Sequence, residues 1–179
     1  MNQAGGTLQA MPEYSYGLRP DWEFSFQLPF AERDDALHAD GFRFELQYIA
    51  PHDEARGWYW GWNAEAGRSA RDDEQHGWTS EVVPILGYRS SRWHFVANPT
   101  LALPLSGEGR TLQFQPAAKA AYRTAGGDEL GWEFYKESSR LLFLTWDGKL
   151  GRSDVNLGVG RDLSSSDWVV KMIIEIAFR

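Results

Sequence analysis

Apolar and polar residues alternate with a period of two through almost the whole chain. In the segment from Trp22 to Phe30, every second residue from Trp22 onward is large and apolar, and most residues between them are polar. The segment 167–179 repeats the pattern, with Lys171 and Glu175 on the polar side. Period-two alternation of β-branched and aromatic residues is typical of β-strands. The pattern therefore predicts a chain built from strands that each have one apolar face.

Eleven segments follow this pattern, and each ends at Gly, Pro, Asp, Asn or Ser residues that favour turns. They cover residues 13–18, 22–30, 42–50, 58–67, 79–88, 93–105, 111–123, 130–137, 141–150, 153–161 and 167–179. Residues 31–40 and 68–77 are predicted to be long polar loops. Globular strands usually have about five or six residues, whereas a membrane-spanning strand needs about nine to eleven. The segment lengths favour the membrane-spanning kind.

The predicted fold class is therefore all-β, an antiparallel up-and-down transmembrane β-barrel. Single-chain bacterial barrels have an even number of strands. About 12 strands are expected, with the first missing or hidden in residues 1–12, and ten is the alternative if one segment is not a strand. Residues 1–12 are expected to be disordered or a remnant of that strand, and residues 13–179 to form the barrel. In bacterial barrels the longer loops face the outside of the cell. The longer connections, at 31–40 and 68–78, are therefore predicted to lie on the outer side of the membrane.

Composition supports this fold but leaves a second all-β fold open. Aromatic residues make up 15% of the chain, yet mean hydropathy is −0.48. That combination is typical of a membrane barrel, in which half of each strand is polar. A soluble β-sandwich or lipocalin-like barrel shares the alternation. The sequence contains no run of eighteen apolar residues, so no transmembrane helix is predicted. Residues 1–10 lack the features of a signal peptide.

The charge and the absence of cysteine exclude several kinds of partner. The formal net charge is −7, the sequence pI is near 5.1, and no basic cluster is present, which argues against nucleic acid. Without cysteine, neither disulfides nor thiolate metal sites are expected. The histidines and carboxylates show no spacing typical of a zinc site. We therefore expect no metal and no cofactor.

Aromatic residues cluster near the ends of the predicted strands, as in the interfacial girdles of membrane barrels. The predicted lipid-interface aromatics are Trp22, Phe30, Trp58, Trp93, Tyr122, Trp132, Trp168 and Phe178. Ordinary core aromatics are the alternative interpretation. The polar positions carry charges of both signs in mid-strand, which predicts a polar lumen with paired charges. The predicted lumen-lining residues are Glu23, Arg43, Glu45, Glu65, Glu81, His94, Lys119, Glu133, Lys171 and Glu175.

His94 is the histidine that falls within a predicted strand, and it raises the question of catalysis. An outer-membrane hydrolase would need a Ser–His pair with a carboxylate or amide. The run 94–98, H-F-V-A-N, resembles the His-x-Ser-Asn of lipid A deacylases, but Val96 stands where the nucleophile would be. We therefore predict no catalytic residue and no enzyme activity, with His94 as a hydrogen-bonding residue of the lumen.

The last strand also carries a family resemblance. The run W-V-V-K-M-I-I-E-I-A-F, with Phe178 followed by Arg179, resembles the C-terminal strand signal of Gram-negative outer-membrane proteins, which normally stops at the aromatic. The runs P-E-Y-S-Y-G-L-R-P-D-W-E-F-S-F-Q-L-P-F and N-L-G-V-G-R-D-L resemble an outer-membrane family labelled as transporters or MetA-pathway phenol-degradation proteins. The resemblance implies location in the bacterial outer membrane. It also implies contact with membrane lipids and lipopolysaccharide, and recognition of the last strand by the barrel-assembly machinery.

Two kinds of function follow from these expectations. The first is a narrow channel or transporter for small molecules. The second is a non-transporting structural or adhesive barrel whose loops bind a partner. A lipid-modifying enzyme is a third and weaker expectation, because the segment around His94 lacks the nucleophile.

Overall fold

The computed structural model describes residues 8–69, 77–106 and 110–176. Within these residues the fold is all-β, and the paired strands run antiparallel. The described residues contain no helix with the length and apolarity needed to cross a membrane. The strands are β1 (Gln9–Ala10), β2 (Glu13–Arg19), β3 (Trp22–Gln27), β4 (Phe30–Arg33), β5 (Ala36–Ala39), β6 (Gly41–Ile49), β7 (Gly57–Ser69), β8 (Trp78–Arg89), β9 (Trp93–Pro104), β10 (Gln113–Arg123), β11 (Glu129–Lys136), β12 (Arg140–Leu150), β13 (Ser153–Asp162) and β14 (Trp168–Ile176).

The main sheet contains eleven strands in up-and-down order, from β2 and β3 through β6 to β14. These strands match the eleven alternating segments in number and order, so the predicted all-β architecture is confirmed. In the described residues, the sheet order places β2 at one end and β14 at the other. Directly opposed residues share a face of an antiparallel sheet. The pairing of Lys119 with Glu133, and of Gly158 with Lys171, shows how the alternation collects polar residues on one face.

A second, three-stranded sheet is formed by β1, β4 and β5. Its hairpin occupies residues 31–40, so the prediction of a polar loop there was wrong. Asp34 and Asp35 form the tip with φ of 50° and 61°. A two-residue hairpin turn of type I′ needs positive φ at both central residues. Asp tolerates this left-handed backbone conformation better than most residues do.

The structure also corrects several strand limits and the expectation for the first strand. The predicted strand 22–30 ends at Gln27, and Phe30 begins β4 in the smaller sheet. Arg68 and Ser69 belong to β7, while residues 70–76 of the second predicted loop lie outside the described residues. Among residues 8–12, no first strand of a twelve-stranded barrel is present, because β1 pairs with β4.

The chain packs as two compact units. Unit 1 comprises Met1–Ile49, Gly61–Val83 and Leu101–Phe114, and unit 2 comprises Ala50–Trp60, Pro84–Thr100 and Gln115–Arg179.

Burial is inverted relative to an ordinary water-soluble domain. Every strand of the main sheet carries at least one exposed large apolar side chain, and some are extreme, such as Trp58 at 78% and Val170 at 77% exposure. Buried polar side chains, by contrast, outnumber the buried apolar ones in the described residues. The buried polar residues are Ser25, Gln27, Asn63, His94, Thr100, Glu129, Glu133 and Thr145. The sheet therefore shields its polar face and exposes its apolar face.

Candidate functional site

A cavity of about 680 Å³ lies on the polar face of unit 2. Its lining is strongly charged, and the carboxylates outnumber the cationic side chains. The acidic residues are Asp128, Glu129, Glu133, Asp147, Asp154 and Glu175, and the cationic residues are Arg89, Lys119, Lys149 and Lys171. Buried or half-buried charges require partners, and most of these charges are paired with one another.

Strand register brings the charges of this cavity together. Arg123 lies opposite Glu129, and Lys119 lies opposite Glu133, on the paired strands β10 and β11. Glu129 in turn lies opposite Asp147 on β12. Residues four apart in a strand return to the same face. The spacing within 119–123 and within 129–133 therefore places both cations and both carboxylates on the polar face, where Lys119, Glu129 and Glu133 line the cavity.

Tyr59, His94 and Glu129 form a hydrogen-bonded chain that starts on β7 and ends on β11. The Tyr59 hydroxyl lies 2.9 Å from His94 Nε2, and His94 Nδ1 lies 2.9 Å from Glu129 Oε2. A carboxylate only accepts hydrogen bonds, so Nδ1 carries the hydrogen that Glu129 receives. In the neutral imidazole, Nε2 then accepts from the Tyr59 hydroxyl. The group that contacts His94 Nε2 is thus a phenol and not a serine.

Glu129 is also held by two cations. Arg123 Nη2 donates to Glu129 Oε1 at 2.9 Å, and Lys119 Nζ lies 3.4 Å from Oε2. Lys119 Nζ also donates to Asp147 Oδ2 at 3.0 Å. Asn156 Nδ2 donates to the other oxygen of Asp147 at 2.7 Å. The carboxylates of this part of the cavity are therefore fixed by charged and amide donors.

Glu133 forms the centre of a second group. It is 5% exposed and accepts a hydrogen bond from the Tyr135 hydroxyl at 2.6 Å. Lys171 on β14 makes an ion pair with the same carboxylate oxygen and lies 3.1 Å from the Tyr135 hydroxyl. The Lys171 ammonium also lies 5.1 Å from the centre of the Tyr135 ring, within the range of a cation–π contact. These contacts join β11 to β14 across the two strands between them.

Glycines on the intervening strands make room for these long contacts. Tyr59 on β7 reaches His94 on β9 because its ring lies over Gly87 on β8, where a Cβ would overlap the ring atoms. On β13, Gly158 lies directly opposite Lys171, and a Cβ there would meet Phe143 Cδ1 at 3.3 Å. A missing side chain on a strand is typical of sites where another group approaches the backbone closely.

We expect Gly87→Ala to destabilise the fold by about 1–3 kcal/mol, the usual range for overpacking. The new methyl group would push the Tyr59 ring away from the position in which its hydroxyl contacts His94. Equilibrium unfolding of the detergent- or lipid-folded protein measures the effect. Gly17→Ala is the matched control, since no atom lies within 4 Å of its Cβ position. Equal stability of the two variants would contradict the proposed packing.

The predicted lumen residues fall on the polar faces of the two units. His94, Lys119, Glu133, Lys171 and Glu175 line the unit 2 cavity.

In unit 1, Arg43, Glu65 and Glu81 line a small depression, and Arg43 Nη1 lies 3.7 Å from Glu65 Oε2. Glu45 lies opposite Glu65, and Glu23 lies opposite Gln47.

Several residues of the unit 2 site were not among the predicted lumen residues. Glu129 lies just before the predicted strand 130–137, although extending the alternation of β11 backwards by four residues from Glu133 places it on the polar face. Arg123 follows from Lys119 by the same step. Tyr59 alternates with Trp58 and Trp60 and so falls on the polar side of the predicted strand 58–67, but nothing in the sequence links it to His94, which is 35 residues away.

Five of the eight aromatics predicted for the lipid interface lie near strand ends, namely Trp22, Trp58, Trp93, Tyr122 and Trp168. In unit 2, Trp58 contacts Tyr88 with ring centroids 5.0 Å apart, and Trp93 contacts Tyr122 at 5.3 Å, each pair beside a connection between strands. Trp168 begins β14.

In unit 1, Trp22 lies 4.9 Å from Tyr48. Trp132 lies in the middle of β11, Phe30 belongs to the smaller sheet, and Phe178 lies outside the described residues.

The described part of the chain contains no group of three or more His, Cys, Asp or Glu side chains placed to hold a metal ion. The unit 2 site offers fixed charges and hydrogen-bond donors around a polar cavity.

Comparison of this chain with protein-family models, curated proteins and solved structures finds no match.

Proposed function

We propose that this chain is an outer-membrane β-barrel protein whose polar interior forms a narrow pathway for small molecules. The observation that carries the proposal is the inverted burial of the main sheet, with buried carboxylates and amides on one face and exposed aromatic and aliphatic residues on the other. In a membrane barrel the apolar face contacts lipid and the polar face encloses the lumen. In this proposal, lipids and lipopolysaccharide are the partners of the apolar face.

The middle of the apolar face supports lipid contact over water contact. Trp132, Leu144, Val159 and Val170 are directly opposed on four consecutive strands, and all four are half or more exposed. Soluble monomers rarely expose contiguous apolar patches of more than a few hundred Å². A row of this kind across four strands is what a bilayer would cover.

The ends of the strands support the same conclusion. The aromatic pairs Trp58–Tyr88 and Trp93–Tyr122 lie beside the connections at 51–56 and 90–92. Trp and Tyr prefer the boundary between hydrocarbon and water, because their rings are apolar at one end and polar at the other. In the proposal, a closed barrel of about 12 strands requires β14 to pair with β2 or with a strand outside the described residues. The barrel-assembly machinery is proposed to recognise β14.

A non-transporting structural barrel is the second candidate, and one observation favours it. The contacts of Lys119, Glu133 and Lys171 connect strands β10 to β14 on the polar face, and such a network would brace a barrel wall. The cavity of about 680 Å³ beside that network favours a pathway, since it leaves space for small solutes. The two candidates share the membrane location and differ in conduction.

The membrane location is tested by expressing the chain with an export signal in a Gram-negative host. We expect the protein in the outer-membrane fraction, with faster electrophoretic migration when it is not boiled, because a folded barrel resists detergent at room temperature. A protein that remains soluble in the periplasm without heat-dependent mobility would exclude the barrel proposal.

Conduction is tested in planar bilayers, and we expect a small conductance that prefers cations. The cavity lining has six carboxylates against four cationic side chains, and a lining of one predominant sign attracts the opposite ion. Under a salt gradient, the reversal potential should report cation preference, and Glu175→Lys should reduce it. A folded protein that inserts without conductance would support the structural candidate, and anion preference would contradict the assigned pathway.

A further inference from the structure

The polar face of unit 1 holds a second group of acidic residues, separate from the unit 2 cavity. Glu13, Glu45 and Glu65 lie on β2, β6 and β7. In the register of these strands, Glu45 is directly opposite both Ser25 and Glu65. Directly opposed like charges destabilise a sheet. On the same face, Arg43 Nη1 lies 3.7 Å from Glu65 Oε2.

Gln27 lies between two of these carboxylates. Its Nε2 donates to Glu13 Oε2 at 3.1 Å and to Glu45 Oε2 at 2.9 Å, and the residue is 4% exposed. The carboxylates accept hydrogen bonds, so the nitrogen has to face them and the orientation of the amide is fixed. Its Oε1 therefore lies beside the same carboxylates, buried and without a hydrogen-bond partner in the described structure.

Asn63 repeats this arrangement on β7. It is 9% exposed, and its side chain hydrogen-bonds Glu45. Its Oδ1 is also buried and has no hydrogen-bond partner among the described residues. Buried acceptors without a donor are uncommon and costly in folded proteins. Two such acceptors, Gln27 Oε1 and Asn63 Oδ1, therefore belong to the side chains that contact Glu45. A positively charged group with hydrogen-bond donors would satisfy the acceptors and attract the carboxylate.

We propose that this acidic amide cluster, formed by Glu13, Gln27, Glu45, Asn63 and Glu65, binds an organic cation that carries N–H donors, such as a primary ammonium or guanidinium group. An N–H cation supplies hydrogen-bond donors to the two amide oxygens, which have none among the described residues, and its positive charge is attracted by the neighbouring carboxylates. A bare metal ion fits less well, because no three acidic side chains of the described residues converge on one point. The proposal concerns binding and holds whether or not the interior conducts.

Calorimetric titration of the folded full chain in detergent micelles tests this site. The probes are putrescine, which has N–H donors, tetramethylammonium, which has the charge alone, and calcium chloride. We expect saturable binding of putrescine, much weaker binding of tetramethylammonium, and no displacement of putrescine by millimolar calcium. Glu45→Gln should weaken putrescine binding about tenfold or more, as expected for the loss of a charge-assisted hydrogen bond.

Glu65→Gln is the second variant, so that a folding defect of Glu45→Gln does not leave the site untested. Glu175→Gln is the matched control, a carboxylate-to-amide change on the polar face of unit 2. Circular dichroism confirms that each variant is folded. The absence of saturable putrescine binding to the folded chain would overturn the proposal. Equal binding of tetramethylammonium, equal weakening by Glu175→Gln, or tight calcium binding that displaces putrescine would also overturn it.

Discussion

Arginine in place of Val159 is expected to destabilise the protein in a lipid bilayer by about 2–4 kcal/mol, the cost of a cation at the midplane of a lipid-facing strand. Val159 is in the middle of β13, opposite Leu144 and Val170 on the apolar face. If this face contacts water instead, the side chain is already half exposed, and a surface substitution changes stability by no more than about 0.5 kcal/mol. The two environments of the sheet therefore predict very different outcomes.

Leu150→Arg is the matched control for this experiment. Leu150 is on the same face as Leu144 but ends β12, where an arginine would reach the lipid headgroups. Its expected cost is about 0–1 kcal/mol. Reversible unfolding by denaturant in phosphatidylcholine vesicles measures both variants. A cost that does not differ between the middle and the end of the strands would show that the apolar face is not in hydrocarbon.

The second large effect is expected from Lys171→Met, at about 3–5 kcal/mol, because it removes one partner of a buried ion pair. Glu133 is 5% exposed and loses its closest cation, so its charge is left buried without a direct cationic partner. Lys119, at 4.0 Å, lies too far away to replace the direct hydrogen bond. The measurement is the free energy of unfolding under the same conditions as the wild type.

Two further variants separate pairing from packing. The double variant Glu133→Gln with Lys171→Met removes both charges and should recover part of the loss, with a coupling energy of about 1–3 kcal/mol. Lys149→Met is the control, since Lys149 and Asp154 also form an ion pair, at 2.8 Å, but their side chains are 70% and 56% exposed. Its expected cost is about 0–1 kcal/mol. If both lysine variants cost the same, burial of the Glu133 pair has no special effect.

The fold was largely predictable because a period of two in a strand has one structural consequence, the separation of two faces. Strands such as β9 and β13 could be placed from their alternation alone. The hairpin of β4 and β5 was missed because its residues are too polar and its strands too short to show that period. Its pairing depends on the Asp34–Asp35 turn, in which both residues have positive φ. An Asn-Gly or Gly-rich pair would have indicated such a turn in the sequence, whereas Asp-Asp is a much weaker signal.

The candidate site was predictable only in part. Alternation identified which residues share the polar face, so Lys119, Glu133 and Lys171 were found. It gave no information on which of them meet across several strands. The contact between Tyr59 and His94 passes over the strand β8 that lies between them. It is possible because Gly87, at that point of β8, has no side chain to block the Tyr59 ring. Such a requirement depends on the register of three strands together, which a single sequence does not encode in any local pattern.

The Asp34–Asp35 turn has a practical consequence for mapping the protein on living cells. Both residues are exposed at the tip of a two-stranded hairpin that belongs to the smaller sheet, so a foreign peptide inserted between them would leave the ladders of the main sheet intact. Exposed turn tips of this kind accept insertions well. An epitope tag placed there, stained with antibody on unbroken cells, would show whether the hairpin is accessible from outside, as one orientation of the proposed outer-membrane barrel requires.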